Sequence, residues 1–216
     1  MRRLATAFLV LAGLAVASTA MAVDFDQKTV MPEGITLNFT LAQVLACDNG
    51  NANSAYFQAD AARYGNLFNL GGGARLSHLE FAHYGFGFSG PYNYDIELWD
   101  PTSCTVIATV NGLVAQDAAE AIAVESVDLC PRNLVASGNV IVAIDANSCA
   151  NPTDCYPDVL FDTQINVLCP FIVDVAGGAC IDVSDQSGPF ILRLEIDNCA
   201  VPVEPGTWGA LKQLYR

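Results

Sequence analysis

The sequence predicts an all-β protein: an antiparallel β-sandwich stapled by disulfides, with a short C-terminal helix. Three observations carry that expectation. Two-residue alternation recurs: Tyr92, Tyr94, Ile96 and Leu98 share one face against Asn93, Asp95, Glu97 and Trp99, and Phe190, Leu192, Leu194 and Ile196 oppose Ile191, Arg193, Glu195 and Asp197. Turn formers such as Gly71-Gly72-Gly73, Asn111-Gly112 and Ser137-Gly138 separate the alternating runs. The chain also holds an even number of cysteines, 8 in 216 residues, which in an exported protein reads as four disulfides.

Taken in order, residues 1–22 carry Arg2 and Arg3, an apolar run from Leu4 to Val16 and the small-x-small ending Ala20-Met21-Ala22. This is the pattern of a secretory signal peptide. The run is shorter than the roughly 18 residues a membrane span needs, so no span is expected in the mature chain. Residues 23–199 are expected to form the sandwich, 200–206 a linker and 207–216 an amphipathic helical tail. Two of the nine basic residues lie in the signal, leaving seven against 23 acids, a net of −16. Such a surface repels nucleic acid and anionic lipid.

Within the domain, Ile35, Leu37, Phe39 and Leu41 alternate with Thr36, Asn38 and Thr40 as a first strand, and 48–54 (DNGNANS) is a loop. Leu79 and Phe81 share a face opposite His78 and Glu80. Residues 85–91 (GFGFSGP) then lead into the Tyr92 strand, so the two runs are expected to pair as antiparallel neighbours. Thr105–Val110, Ala121–Leu129 and Asn139–Asp145 read as further strands, and Leu113–Ala123 as an alanine-rich helical turn. Phe171–Val175 and Ala179–Val183 read as a hairpin through Gly177-Gly178.

Eight cysteines allow about 105 pairings. Local geometry favours Cys149–Cys155 around a five-residue loop, Cys169–Cys180 around the hairpin, Cys104–Cys130 bracketing a strand pair, and Cys47–Cys199 joining the domain ends. No zinc-type CxxC or Cys/His spacing is present.

The residues that bear chemistry point to binding more than to catalysis. His78 and His83 do not form HExxH and read as solvated strand residues. Ser89 lacks the GxSxG elbow. Asp48, Asn49, Asn51 and Asn53 gather hard oxygen donors in one loop, and Asp145, Asp154, Asp158 and Asp162 add carboxylates elsewhere, so Ca2+ is the candidate cofactor although none is required. Neither group has EF-hand spacing. Trp99, Tyr84, Phe86, Phe88 and Tyr92 are the candidate aromatic platform for a glycan, whose sugar rings stack on planar side chains.

The LxF strand, Tyr92-x-Tyr94-x-Ile96-x-Leu98-Trp99-Asp100, the run Gly138-Asn139-Val140-Ile141-Val142-Ala143-Ile144 and the closing Gly188-Pro189-Phe190-Ile191-Leu192-Arg193-Leu194-Glu195-Ile196 resemble secreted bacterial jelly-roll modules of the carbohydrate-binding and CUB-like kinds. That resemblance spans roughly residues 46 to 199 and implies a jelly-roll-like topology. Residues 207–216 (TWGALKQLYR) resemble a recurrent Thr-Trp-Gly…Lys…Tyr-Arg ending of secreted bacterial proteins. There Thr207 is a plausible N-cap, and Trp208, Leu211, Leu214 and Tyr215 share one helical face that needs a partner.

These readings predict a non-catalytic module that is secreted or at the cell surface, with the periplasm as the other exported location. It would bind a glycan or another surface partner. The alternative function is a secreted glycoside-type hydrolase whose carboxylates meet only in the fold.

Overall fold

The computed structural model describes residues 27–29, 35–41, 44–56, 62–85, 91–116, 121–151, 154–162, 169–184 and 188–199. The expected signal peptide, linker and C-terminal helix, together with Phe86, Phe88 and Ser89, lie outside them. The protein is all-β, built from curled antiparallel sheets. One eight-stranded sheet runs β1 (Gln27–Thr29), β5 (Ser54–Tyr56), β15 (Asp158–Phe161), β7 (Ala74–Tyr84), β18 (Leu192–Ile196) and β3 (Leu45–Ala46), and β10 (Ile122–Asp128) and β11 (Val135–Ala136) also pair with β7. A six-stranded sheet runs β17 (Ala179–Asp182), β16 (Pro170–Asp174), β6 (Ala62–Asn69), β12 (Asn139–Ala146), β8 (Tyr92–Asp100) and β9 (Thr105–Ala115). Two small ribbons, β2 (Ile35–Thr36) with β4 (Asn51–Ala52) and β13 (Ser148–Asn151) with β14 (Asp154–Tyr156), are the other strand pairs among the described residues.

The two sheets enclose one apolar core. Leu76, Leu79 and Phe81 from β7 and Leu192 and Leu194 from β18 meet Tyr92, Tyr94, Ile96 and Leu98 from β8 and Val140, Val142 and Ile144 from β12. This corrects the expected pairing of the central strands. β7 pairs with β10, β11, β15 and β18, whereas β8 pairs with β9 and β12. The two runs carry complementary apolar faces, and they meet across the core, Phe81 edge-on to Tyr94 with ring centroids 5.1 Å apart. Alternation specifies which face turns inward, but not which strand lies alongside.

The expected helical turn over 113–123 is also absent from its described residues. Leu113–Ala115 close β9 and Ile122–Ala123 open β10. Gly112, at φ +73°, sits instead at a register shift in which Asn111 and Gly112 of β9 oppose Asp95 of β8, the form of a β-bulge. The β16–β17 hairpin is as expected, with Ile172 opposite Ile181.

Four disulfides staple the fold: Cys47–Cys169, Cys104–Cys180, Cys130–Cys199 and Cys149–Cys155. Of the expected pairs only Cys149–Cys155 forms. Cys169–Cys180 is prevented by register: Cys180 lies opposite Val173, four residues from Cys169, about 13 Å at ordinary strand rise and beyond disulfide reach. Cys47 follows β3 of one sheet and meets Cys169 ahead of β16 of the other, so this bridge ties the sheets together. Cys104, in the β8–β9 turn, and Cys130, after β10, belong to different sheets. Each therefore finds another partner, and Cys199 closes on Cys130 rather than on Cys47. Four bridges fit a location outside the reducing cytoplasm. Among the described residues no helix is long and apolar enough to cross a membrane.

Candidate functional site

The polar residues of β8 face away from the core, onto the outer face of the six-stranded sheet. Register sets Trp99 beside Ile141, Glu97 beside Ala143 and Asp95 beside Asp145 on β12, while Gly65 of β6 lies on the other side of Ala143. Neither Gly65 nor Ala143 has a side chain that fills the face. Arg63 of β6 therefore reaches across β12, its Nε 3.3 Å from Glu97 and its Nη2 2.9 Å from Asp145. All three side chains are mostly buried, 13%, 13% and 9% exposed. The Trp99 indole N–H donates to Glu97 Oε2 at 2.9 Å, which fixes the ring beside the ion-paired acids.

The same face carries a small apolar layer of Ile141, Ala143 and Val173, with Leu67, Phe171, Trp99 and the Cys104 and Cys180 sulfurs packed against it. The Cys104–Cys180 bridge joins the β8–β9 turn to β17, the edge strand at the far side of the sheet. The sheet must curl to allow this. Gly65 is where the backbones crowd: a Cβ there would run into the Val142 carbonyl oxygen and stand 2.6 Å from the Ala143 Cα.

The described members of the expected aromatic platform, Trp99, Tyr84 and Tyr92, do not come together. Trp99 is half-buried on the outer face of the six-stranded sheet. Tyr84 packs with Ala82, Ile122 and Val124 on the outer face of the eight-stranded sheet. Tyr92 is fully buried in the core, stacked on Tyr156 at 5.8 Å and edge-on to His83 at 5.9 Å. Among these three, Trp99 alone lies beside ion-paired side chains.

The first oxygen-rich loop is held together by its own contacts. Asp48 Oδ1 accepts from the Gly50 N–H and from Arg193, Nη2 at 2.8 Å, and Asn49 Oδ1 accepts from the Asn51 N–H. Asn51 Oδ1 accepts from the Thr36 hydroxyl, and Asn53 is buried. The second set of acids is divided: Asp145 binds Arg63 on one sheet, while Asp158 and Asp162 are buried at β15 of the other. Asp154 is described in its backbone only. His78, Asp128 and Cys130 also converge, yet the Cys130 sulfur is committed to Cys199, and His78 faces Glu195 at 3.3 Å and Asp128 at 3.8 Å.

His83 corrects a further expectation. It is fully buried, with Nε2 3.1 Å from Glu125 Oε1, an oxygen that also accepts from the Gln116 N–H at 2.9 Å. Its parity matches that of Leu79 and Phe81, so the alternation already placed it inside. Burial raises the Glu125 carboxyl, but the His83 and Gln116 hydrogen bonds and the His83 charge outweigh it and hold the group below its ordinary value. Burial, and then the Glu125 charge, push the Tyr94 phenol up.

Arg63 escaped the sequence reading. The available signal was scarcity: a lone cation inside an alternating strand, in a chain with 9 basic and 23 acidic residues, has to find carboxylate partners once buried. Comparison with known proteins adds no relative, since no family model, curated protein or solved structure matches the chain.

Proposed function

We propose that this protein is an exported, non-catalytic binding module, a disulfide-stapled sandwich of jelly-roll kind that takes a glycan on the outer face of its six-stranded sheet. The observation that carries the reading is the contact of Trp99 with Glu97 inside the Arg63–Glu97–Asp145 cluster. A sugar ring offers an apolar C–H face for an indole and hydroxyls for carboxylate and guanidinium groups. Trp99 supplies the first surface, and the ion-paired trio supplies donors and acceptors of fixed orientation.

Residues 1–22 would direct export. Residues 207–216 would attach the module to an export or surface partner, pulling on Cys199, a position fastened to Cys130. A carboxylate-based hydrolase needs two carboxyls that face each other across a groove, whereas Glu97 and Asp145 both face one guanidinium. Glycan-array screening of the purified protein, with and without Ca2+, followed by titration of the best binder, tests the reading. Trp99→Ala, and Arg63→Lys, which keeps the charge but loses the planar fork, should each weaken binding tenfold or more at unchanged fold. Binding indifferent to both substitutions, or to every glycan class, sinks it.

A further inference from the structure

Among the described strands, β9 is the longest that lies at a sheet edge. It is 11 residues long, lies at the end of the six-stranded sheet and, among the described residues, pairs only with β8. From Thr105 to Gln116 it contains no charged residue and no proline. Exposed edges ordinarily carry lysines, prolines or inward charges that stop them from pairing with another chain. Here the exposed positions are uncharged instead: Val106, Ile107 and Val114, at 51%, 48% and 58% exposure, are three of the five exposed large hydrophobic residues described, and Thr105, Thr109, Asn111 and Gly112 are exposed between and beside them.

We propose that β9 is a self-association edge, along which two copies of this chain join antiparallel, β9 to β9, and continue the six-stranded sheet across a two-fold axis. Charge selects the occupant. The chain carries a net charge of −14, so a basic partner would be drawn to its acidic faces and gain nothing from an uncharged strand. Two like-charged copies, by contrast, can approach only where neither bears charge. β9 is such a stretch, and another copy presents the same stretch. An antiparallel two-fold contact is self-complementary, each copy offering the other the same donors, acceptors and valines. The register shifts near Ile107 and Gly112 confine regular pairing to short runs. The contact therefore belongs among small interfaces, below about 1,200 Å² of buried surface, and is reversible. The two-fold axis would stand perpendicular to the joined sheet and set both Trp99 faces on the same side. If the glycan reading above holds, this gives a bivalent surface, but the association stands without it.

Sedimentation equilibrium of the purified full chain over about 1 μM to 1 mM tests this. A monomer–dimer equilibrium is expected that tightens as salt is added, because screening removes the repulsion between acidic copies while leaving the uncharged contact intact. Val106→Lys with Val114→Lys, both at exposed positions, should raise the dimer Kd at least tenfold without lowering Tm. A monomer at every concentration, a dimer that the lysines leave intact, or one that salt dissociates overturns the proposal. A readout needing no variant is backbone hydrogen exchange of the native chain. β9 amides should gain protection with concentration, and concentration-independent exchange there also overturns it.

Discussion

The outer faces of the two sheets both bury apolar side chains, and they are covered by different means. On the eight-stranded sheet the layer is made of small residues, Ala52, Ala55 and Ala82 with Leu160 and Ile191, and the covering is chain: Leu37 and Phe39 lie against it. The buried Glu80 carboxylate accepts from the Thr40 and Leu41 N–H groups at 3.2 and 3.4 Å and from the Thr40 hydroxyl. Arg193 sits 3.8 Å from the centre of the Phe39 ring while it ion-pairs with Asp48, holding that arm down. On the six-stranded sheet no such arm is present among the described residues. A disulfide from edge to edge closes over Ile141, Ala143 and Val173, and buried charge is answered by Arg63. A face sealed by backbone donors has little left to offer a ligand. A face sealed by one covalent bridge and one guanidinium retains side chains that can exchange partners.

The most forceful way to break this contrast is to remove the bridge. Cys104→Ala with Cys180→Ala opens a crosslink of sequence separation 76, against 6 for Cys149–Cys155. Chain entropy assigns about 4.5 kcal/mol to the first and about 2 kcal/mol to the second. Denaturant unfolding should rank the two double variants in that order. If the face is sealed as described, hydrogen exchange should rise in β16 and β17 of the first variant while β5 and β15 stay protected. Equal protection in both regions would mean that the bridge does not close the outer layer.

How much of this could be read from the sequence depends on which physical rule each feature obeys. The inward faces of β8 and β18 follow from parity alone, and Tyr94, Leu98, Leu192 and Leu194 are buried as the alternation requires. Partnership is a different matter, because nothing in the spacing of Phe81 and Tyr94 says whether they are neighbours in one sheet or opposed across two. The cysteines suffered from the same gap: sequence proximity suggested Cys169–Cys180, and only register excludes it. Trp99 was legible as an outward residue. Its company was not, since Arg63, Glu97 and Asp145 lie on three strands far apart in the chain and meet only when β12 settles between β6 and β8.

Gly65 sharpens the contrast at the level of one methyl group. In Gly65→Ala the new Cβ meets backbone, the Val142 oxygen and the Ala143 Cα, neither of which can rotate away. A cost of about 3 kcal/mol is expected, toward the upper end for overpacking. Gly72→Ala, with nothing within 4 Å of its Cβ, should be near neutral or slightly stabilising. If the curl at Gly65 shapes the candidate site, the first substitution should also weaken glycan binding in whatever fraction remains folded, and the second should not.

The smallest expected effect uses a carboxylate that belongs to neither outer face. Glu125 is buried beside His83 in the shared core, and its carboxyl is held below the ordinary value by the His83 and Gln116 bonds against the opposing pull of burial. A carboxyl depressed on folding contributes stability above its unfolded value of about 4.3. That contribution is lost as pH falls through the folded value, because the unfolded chain takes up the proton first. Glu125→Gln should therefore lower Tm near neutral pH, by the equivalent of about 1 to 3 kcal/mol for a disturbed buried hydrogen bond. The gap from the native protein should close as pH is brought below about 4. A Tm difference that stays constant from pH 7 to pH 3 would show that the ionised carboxylate is not what Glu125 contributes, leaving its shape in the core as the cause.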